Sequence, residues 1–246
     1  MLFVLLSMYI VSPSPSIMGR GVHPAAWGKG AMELTDAPAG LSRMEYPGLS
    51  GWVRSPAGSS TEFTLAGGMP VPGGKFSLGG LLSANSGFDQ YTGVLGGSWV
   101  LTGDPIGFME GLFGPSIVLG CAAGVTDSGT GADMLASGSA QFSLFPSFAL
   151  GASSIWREGD SPYVALGFSH VFNRAFTLNA GLSQGDPEVG GVLKISRHLS
   201  VSAGTGGDAW HSGLVLEVWA ARMDLAVVFK ENQASGGAGL TWIVGW

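Results

Sequence analysis

The stretch Leu240-Thr241-Trp242-Ile243-Val244-Gly245-Trp246 decides the fold. Leu240, Trp242, Val244 and Trp246 are large and apolar, whereas Gly239, Thr241 and Gly245 between them are small and only Ile243 is bulky. Successive side chains of a strand point to opposite faces, so one face of this strand is apolar throughout. Facing water, such a strand would invite edge pairing. A barrel in a lipid bilayer requires an apolar outer face and has no free edge. Trp246 reads as a membrane-insertion signal, and the expected partners are outer-membrane lipid and the barrel-assembly machinery.

Composition points to the same solvent. The chain is 46% hydrophobic and only 11% charged, against about 25% charged in ordinary soluble domains. No run approaches the roughly 18 apolar residues of a membrane helix; Leu2–Val11 is the longest candidate and Ser7 interrupts it. High apolarity without a spanning helix fits a barrel, in which apolar residues occupy every second position. The 42 glycines would suit low-complexity disorder, but the regular apolar residues between them argue against it. Net charge is −6 with no basic cluster, so no nucleic-acid footprint is present. Cys121 is the only cysteine, which excludes an intrachain disulfide, and it reads as a small apolar wall residue. Residues 1–16 resemble a secretory signal, with Leu2–Val11 as the apolar region and Ser12-Pro13-Ser14-Pro15-Ser16 as the cleavage zone, although no Lys or Arg precedes Arg20. Export to the outer membrane of a diderm bacterium is therefore expected.

From about Leu49 the chain alternates in polarity over segments of roughly ten residues. Phe176, Leu178, Ala180 and Leu182 oppose Thr177, Asn179, Gly181 and Ser183; Phe63, Leu65 and Met69 oppose Thr64, Ala66 and Gly68; Leu225, Val227 and Phe229 oppose Asp224, Ala226 and Val228. About fourteen such segments predict an all-β, transmembrane antiparallel barrel spanning 49–246. The connections alternate between short and longer, as periplasmic turns and external loops do, except for the long Thr102–Gly111. Pro70 and Pro115 call for bulges or strand ends. Trp52, Tyr91, Trp99, Trp156, Tyr163, Phe172, Trp210 and Trp219 fall near strand ends and suit interfacial girdles.

Residues 17–48 do not alternate and are rich in Gly, Ala and Pro. They read either as a periplasmic tether or as a plug inside the barrel, where irregular backbone is tolerated because protein surrounds it. Within them, Gly28-Lys29-Gly30-Ala31, then Asp36-Ala37, then Pro47-Gly48-Leu49 resemble the hatch of FadL-type long-chain fatty-acid outer-membrane transporters, including FadL-like uncharacterised spirochaetal proteins. The resemblance implies a fourteen-stranded barrel with an N-terminal hatch, with Gly28, Gly30, Asp36 and Pro47 as hatch positions. It departs from the family at Tyr46 and Gly48, where the family has asparagine and alanine, and in lacking long external loops.

Extending the alternation puts Glu62, Lys75, Lys194, Glu217, Asp224 and Lys230 on the lumen side, since a charge facing lipid costs about 2–4 kcal/mol for Lys or Arg at the midplane. Lys194 and Glu217 lie inside their predicted strands and are the candidate ligand-binding pair, Lys194 meeting a carboxylate; a structural ion-pair network is the plainer reading. His198 and Ser200 share a strand face, as the base and nucleophile of a hydrolase would. His211 with Asp208 would make a weak metal pair. Gly204-Thr205-Gly206-Gly207 lacks the Lys-Ser/Thr of a phosphate loop. No enzyme, cofactor, metal or nucleic-acid role is expected. The expected function is hatch-gated passive diffusion of a hydrophobic ligand such as a fatty acid; a general small-solute porin, or a structural or secretion-complex barrel, are the alternatives.

Overall fold

A computed structural model describes residues 18, 20–55, 60–86, 90–106, 113–127, 129, 131–230 and 233–243. The signal-like segment and the Val244, Gly245 and Trp246 end, with its insertion signal, lie outside the described residues.

Period-two alternation becomes fourteen strands: β1 (Gly48–Ser55), β2 (Glu62–Pro70), β3 (Phe76–Asn85), β4 (Gln90–Gly103), β5 (Ser116–Asp127), β6 (Ala132–Phe145), β7 (Phe148–Arg157), β8 (Tyr163–Asn173), β9 (Phe176–Ser183), β10 (Asp186–Lys194), β11 (Leu199–Gly206), β12 (Ala209–Val218), β13 (Ala221–Lys230) and β14 (Gln233–Ile243). Each pairs antiparallel with its chain neighbour, and β14 closes on β1 from Gly48↔Ile243 to Ser55↔Gly236. Closure satisfies the backbone polar groups along both outer strands and leaves no edge. β1 begins and β14 ends at one end of the barrel, here the terminal rim; the opposite end is the far rim.

The apolar stripe faces outward. Leu95 is 75% exposed, Leu82 64% and Trp242 56%, whereas the intervening Val94, Leu81 and Thr92 are buried. A monomer in water would not leave so continuous a belt uncovered; hydrocarbon is the solvent that accepts it. The molecule is a transmembrane β-barrel.

Four sequence readings change. Trp52 is fully buried inside the bore rather than placed in a girdle, and Tyr163 also turns inward, its ring 5.6 Å from that of His23. Inward parity, not nearness to a strand end, decides where an aromatic points. Lys75 lies in the turn before β3, exposed, because the ladder starts at Phe76. The alternation of loop lengths is only partial: Gln184-Gly185 and Gly207-Asp208 on the far rim are as tight as Arg174-Ala175 on the terminal rim. There Gln184 (φ 54°) and Gly185 (φ 92°) both adopt the left-handed conformation of a two-residue hairpin turn, so β10 starts at Asp186, earlier than polarity indicates. Pro70 ends β2 and Pro115 precedes β5, as their missing N–H requires. The long connection after β4 folds back on itself through an Ile106↔Phe113 bridge, and Phe113 is buried against Ala149 and Val171.

Candidate functional site: the occupied lumen

The inner wall is lined mostly by small residues, and the N-terminal segment fills the space they leave. The carbonyl of Arg20 lies over Gly190 of β10 and Gly204 of β11. The amide of His23 donates to Glu188 Oε2 at 2.7 Å, and its ring lies against Ser153 of β7 and Tyr163 of β8. A 3-10 turn at Pro24–Ala26 then packs on β6, β7 and β8, with the Ala25 carbonyl over Gly151. A second turn, Ala31–Glu33, meets β1, β2 and β3, and a third, Pro38–Arg43, crosses β2 to β6. The Ala39 amide donates to Ser139 Oγ at 2.8 Å, beside Gly120. A methyl group on Gly120 would stand 2.1 Å from Ala39 N, and one on Gly151 would stand 1.9 Å from Ala25 O. Only glycine admits this approach.

The segment holds itself together through the glycines singled out in the sequence. Gly28 N donates to Pro24 O at 2.7 Å; Gly30, at φ 107°, donates to Gly40 O at 3.1 Å. Asp36 follows the second turn, its amide on Glu33 O, and burial with Glu33 nearby pushes its carboxyl up to about 7. Burial takes His23 down to about 3. Pro47 is exposed and leads into β1 without joining this packing.

Between segment and wall lies an apolar core. Met18, Ala31, Met32, Leu34 and Leu41 pack on Trp52, Ala66, Leu81, Val94, Ala122, Leu135 and Ala226. The Trp52 indole lies over Gly237, where a methyl group would come within 2.2 Å of Cζ2. Two arginines of the segment stack on rings, Arg20 on Trp27 and Arg43 on Phe113, each at 4.2 Å. Beside the core the wall turns polar: Arg222 of β13 holds Asp224 at 2.8 Å and Glu217 at 3.8 Å. A small recess lies there, bounded by Arg20, Ser200, Ser202, Gly213, Val215 and Asp224, with room for about one water molecule. Here the inward residues Ser200, Ser202 and Val215 are half-buried, whereas Thr64, Ser83, Thr92 and Ser153 across the bore are buried.

Lys194 and Glu217 do not come together. Lys194 is the last residue of β10 and Glu217 the penultimate one of β12, so both lie at the terminal rim rather than within their strands. β11 separates them: Lys194 pairs in register with Ser200, and Ser200 with Val215. The carboxylate of Glu217 is taken by Arg222, which the sequence reading did not single out. His198 Nδ1 meets the carbonyl of Glu217 at 2.9 Å, and no hydrogen bond joins it to Ser200. His211 Nδ1 meets the Met18 carbonyl at 2.9 Å, and Asp208 pairs with Lys230 at 3.3 Å, so the two do not form a metal pair. Among the described residues no group of three His, Cys, Asp or Glu could hold a metal ion.

Fold and site thus define a fourteen-stranded transmembrane barrel whose bore is occupied by its own N-terminal segment. No family model and no curated protein matches the chain. Solved structures do. The CymD monoaromatic hydrocarbon channel is similar with a TM-score of 0.65 at 12% identity, over 97% of this chain and 99% of that one. The toluene transporter TbuX of Ralstonia pickettii gives 0.60 at 11%, over 95% and 98%. The toluene transporter TodX of P. putida gives 0.57 at 12%, over 92% and 98%. At these identities the likeness is one of fold. The resemblance read from the sequence extends to barrels of hydrocarbon transport and does not reach fatty-acid specificity.

Proposed function

We propose that the protein is an outer-membrane channel through which small hydrophobic molecules, a hydrocarbon or a fatty acid, diffuse passively when the N-terminal segment shifts as a hatch. The terminal rim then faces the periplasm and the far rim the exterior. The observation that carries this reading is the apolar inner wall under the segment: Trp52, Leu81, Val94 and Leu135 face the bore. A wall made only to hold water would not be built so, and an apolar permeant would replace the contacts that Met32, Leu34 and Leu41 vacate. The bonds from segment to wall that such a shift would break include His23 to Glu188, Ala39 to Ser139 and Met18 to His211. The similar folds of CymD, TbuX and TodX, whose names carry hydrocarbons and toluene, support the same class of permeant. The chain's own part is to bind, admit and exclude; no bond chemistry is required.

The test is a tether. In a Cys121→Ser background, Ala39→Cys with Ser139→Cys places thiols on two residues held together by the Ala39 amide and the Ser139 hydroxyl. Oxidation should abolish protein-dependent uptake of a labelled long-chain alcohol by intact cells, and reduction should restore it. Uptake that persists in the fully cross-linked protein refutes hatch gating.

A further inference from the structure

We propose that the far rim selects permeants by charge, admitting uncharged hydrophobic molecules and turning back carboxylates of the same length. The inference rests on the channel reading above and decides between its two ligand classes. Three basic residues are described at this rim, and each is engaged by a carboxylate. Arg54 faces Glu62 at 3.7 Å, Lys230 faces Asp208 at 3.3 Å, and Arg157 is held by Asp133 with Asp160 at 4.0 Å. Four more carboxylates have no Lys or Arg partner among the described residues. Asp127 accepts from the Gly129 amide, Glu158 from that of Met134 and Glu188 from that of His23, while Asp186 is exposed. They form an arc from β5 to β10, over the sector where the segment enters its first 3-10 turn.

The physical consequence is one-sided. Charges of one sign at a mouth walled by low-dielectric barrel and lipid focus a field outward and alter encounter rates for charged permeants by about 10-fold or more. That field acts over about 30 Å at 0.01 M salt and about 8 Å at physiological salt. An arriving carboxylate meets it at a rim where each described Lys and Arg is already engaged by a carboxylate. Beneath the rim Arg222 is taken by Asp224 and Glu217, while Arg20 and Arg43 lie over the rings of Trp27 and Phe113. An alcohol or hydrocarbon of the same length feels none of this.

The experiment compares labelled decanol and decanoate in intact diderm cells at neutral pH, each above its empty-vector rate. In low-salt buffer balanced with sucrose, protein-dependent decanol uptake should exceed decanoate uptake by about 10-fold. The ratio should narrow at physiological salt, and Glu158→Lys with Asp186→Lys should narrow it severalfold at low salt. Decanoate entering as fast as decanol at low salt overturns the proposal, as does a ratio indifferent to salt in the unaltered protein, a readout independent of how the variant folds. If neither probe exceeds the empty-vector rate, the channel reading falls and the charge filter with it.

Discussion

Replacing Gly120 or Gly151 by alanine should push the N-terminal segment off the wall while leaving the barrel intact. Each new methyl would meet backbone, Ala39 N at 2.1 Å and Ala25 O at 1.9 Å, where ordinary van der Waals contact begins near 3.4 Å. Backbone cannot rotate away as a side chain can, so the segment must retreat by more than about 1 Å at either point, a degree of overpacking that costs about 1–3 kcal/mol. That energy corresponds to about a 5- to 150-fold rise in the displaced population. The two sites lie under different turns of the segment, so their costs should add approximately. A reporter thiol is available at Met32→Cys in a Cys121→Ser protein, because Met32 is buried between segment and wall. Its maleimide labelling rate in the purified barrel should rise by that factor for each substitution. Gly51→Ala, where a methyl would have nothing within 4 Å, should leave the rate unchanged. If both variants keep the heat-dependent gel mobility of a folded barrel and label at the wild-type rate, glycine seating of the segment is refuted.

Two further outcomes follow from the same geometry. Leu95→Lys, in the middle of β4 and on the outer face, should destabilise the barrel by about 2–4 kcal/mol in urea titrations in lipid, and a negligible cost would mean that this face does not meet hydrocarbon. Docking of the segment should be firmest at mildly acidic pH. Asp36, raised to about 7, contributes stability that is complete below its unfolded value and lost as pH climbs through 7; His23, depressed to about 3, contributes stability present above its unfolded value and lost as pH falls toward 3. Labelling of Met32→Cys, corrected for thiolate fraction, should therefore rise at both extremes. Asp36→Asn should flatten the alkaline limb and His23→Phe the acidic one, and unchanged limbs in those variants would dissociate the two groups from docking.

The strands were legible because a bilayer imposes one rule on every outward position. Phe176, Leu178 and Leu182, or Leu225, Val227 and Phe229, announce the wall without reference to any partner, and each set faces outward as its alternation required. The inner face carried no comparable rule. Gly120, Gly151, Gly190 and Gly204 are scattered among many glycines, and nothing local says that each lies beneath a backbone atom of residues 20–39. A period-two run of small residues on the polar face of consecutive strands was the available signal. Trp52 was misassigned for the same reason: nearness to a strand end resembles a girdle, whereas its parity, shared with Ser50 and Arg54, turns it into the bore. Lys194 and Glu217 were picked on parity, but their height in the barrel depended on where the turns fall. A two-residue turn at Gln184-Gly185 cannot be read from polarity alone.

The sequence by itself determined the solvent and the architecture it enforces. Alternation of apolar and small residues is a local property, and only a closed sheet satisfies the backbone while showing that stripe to lipid. Tertiary structure alone decided what occupies the bore and which charges meet. Those outcomes depend on register around fourteen strands and on the path of residues 20–47 across them, contacts between positions a hundred or more residues apart, such as His23 with Glu188 and Ala39 with Ser139. No local pattern encodes such a pairing; it exists only once the ring is closed and its interior has a shape to fill.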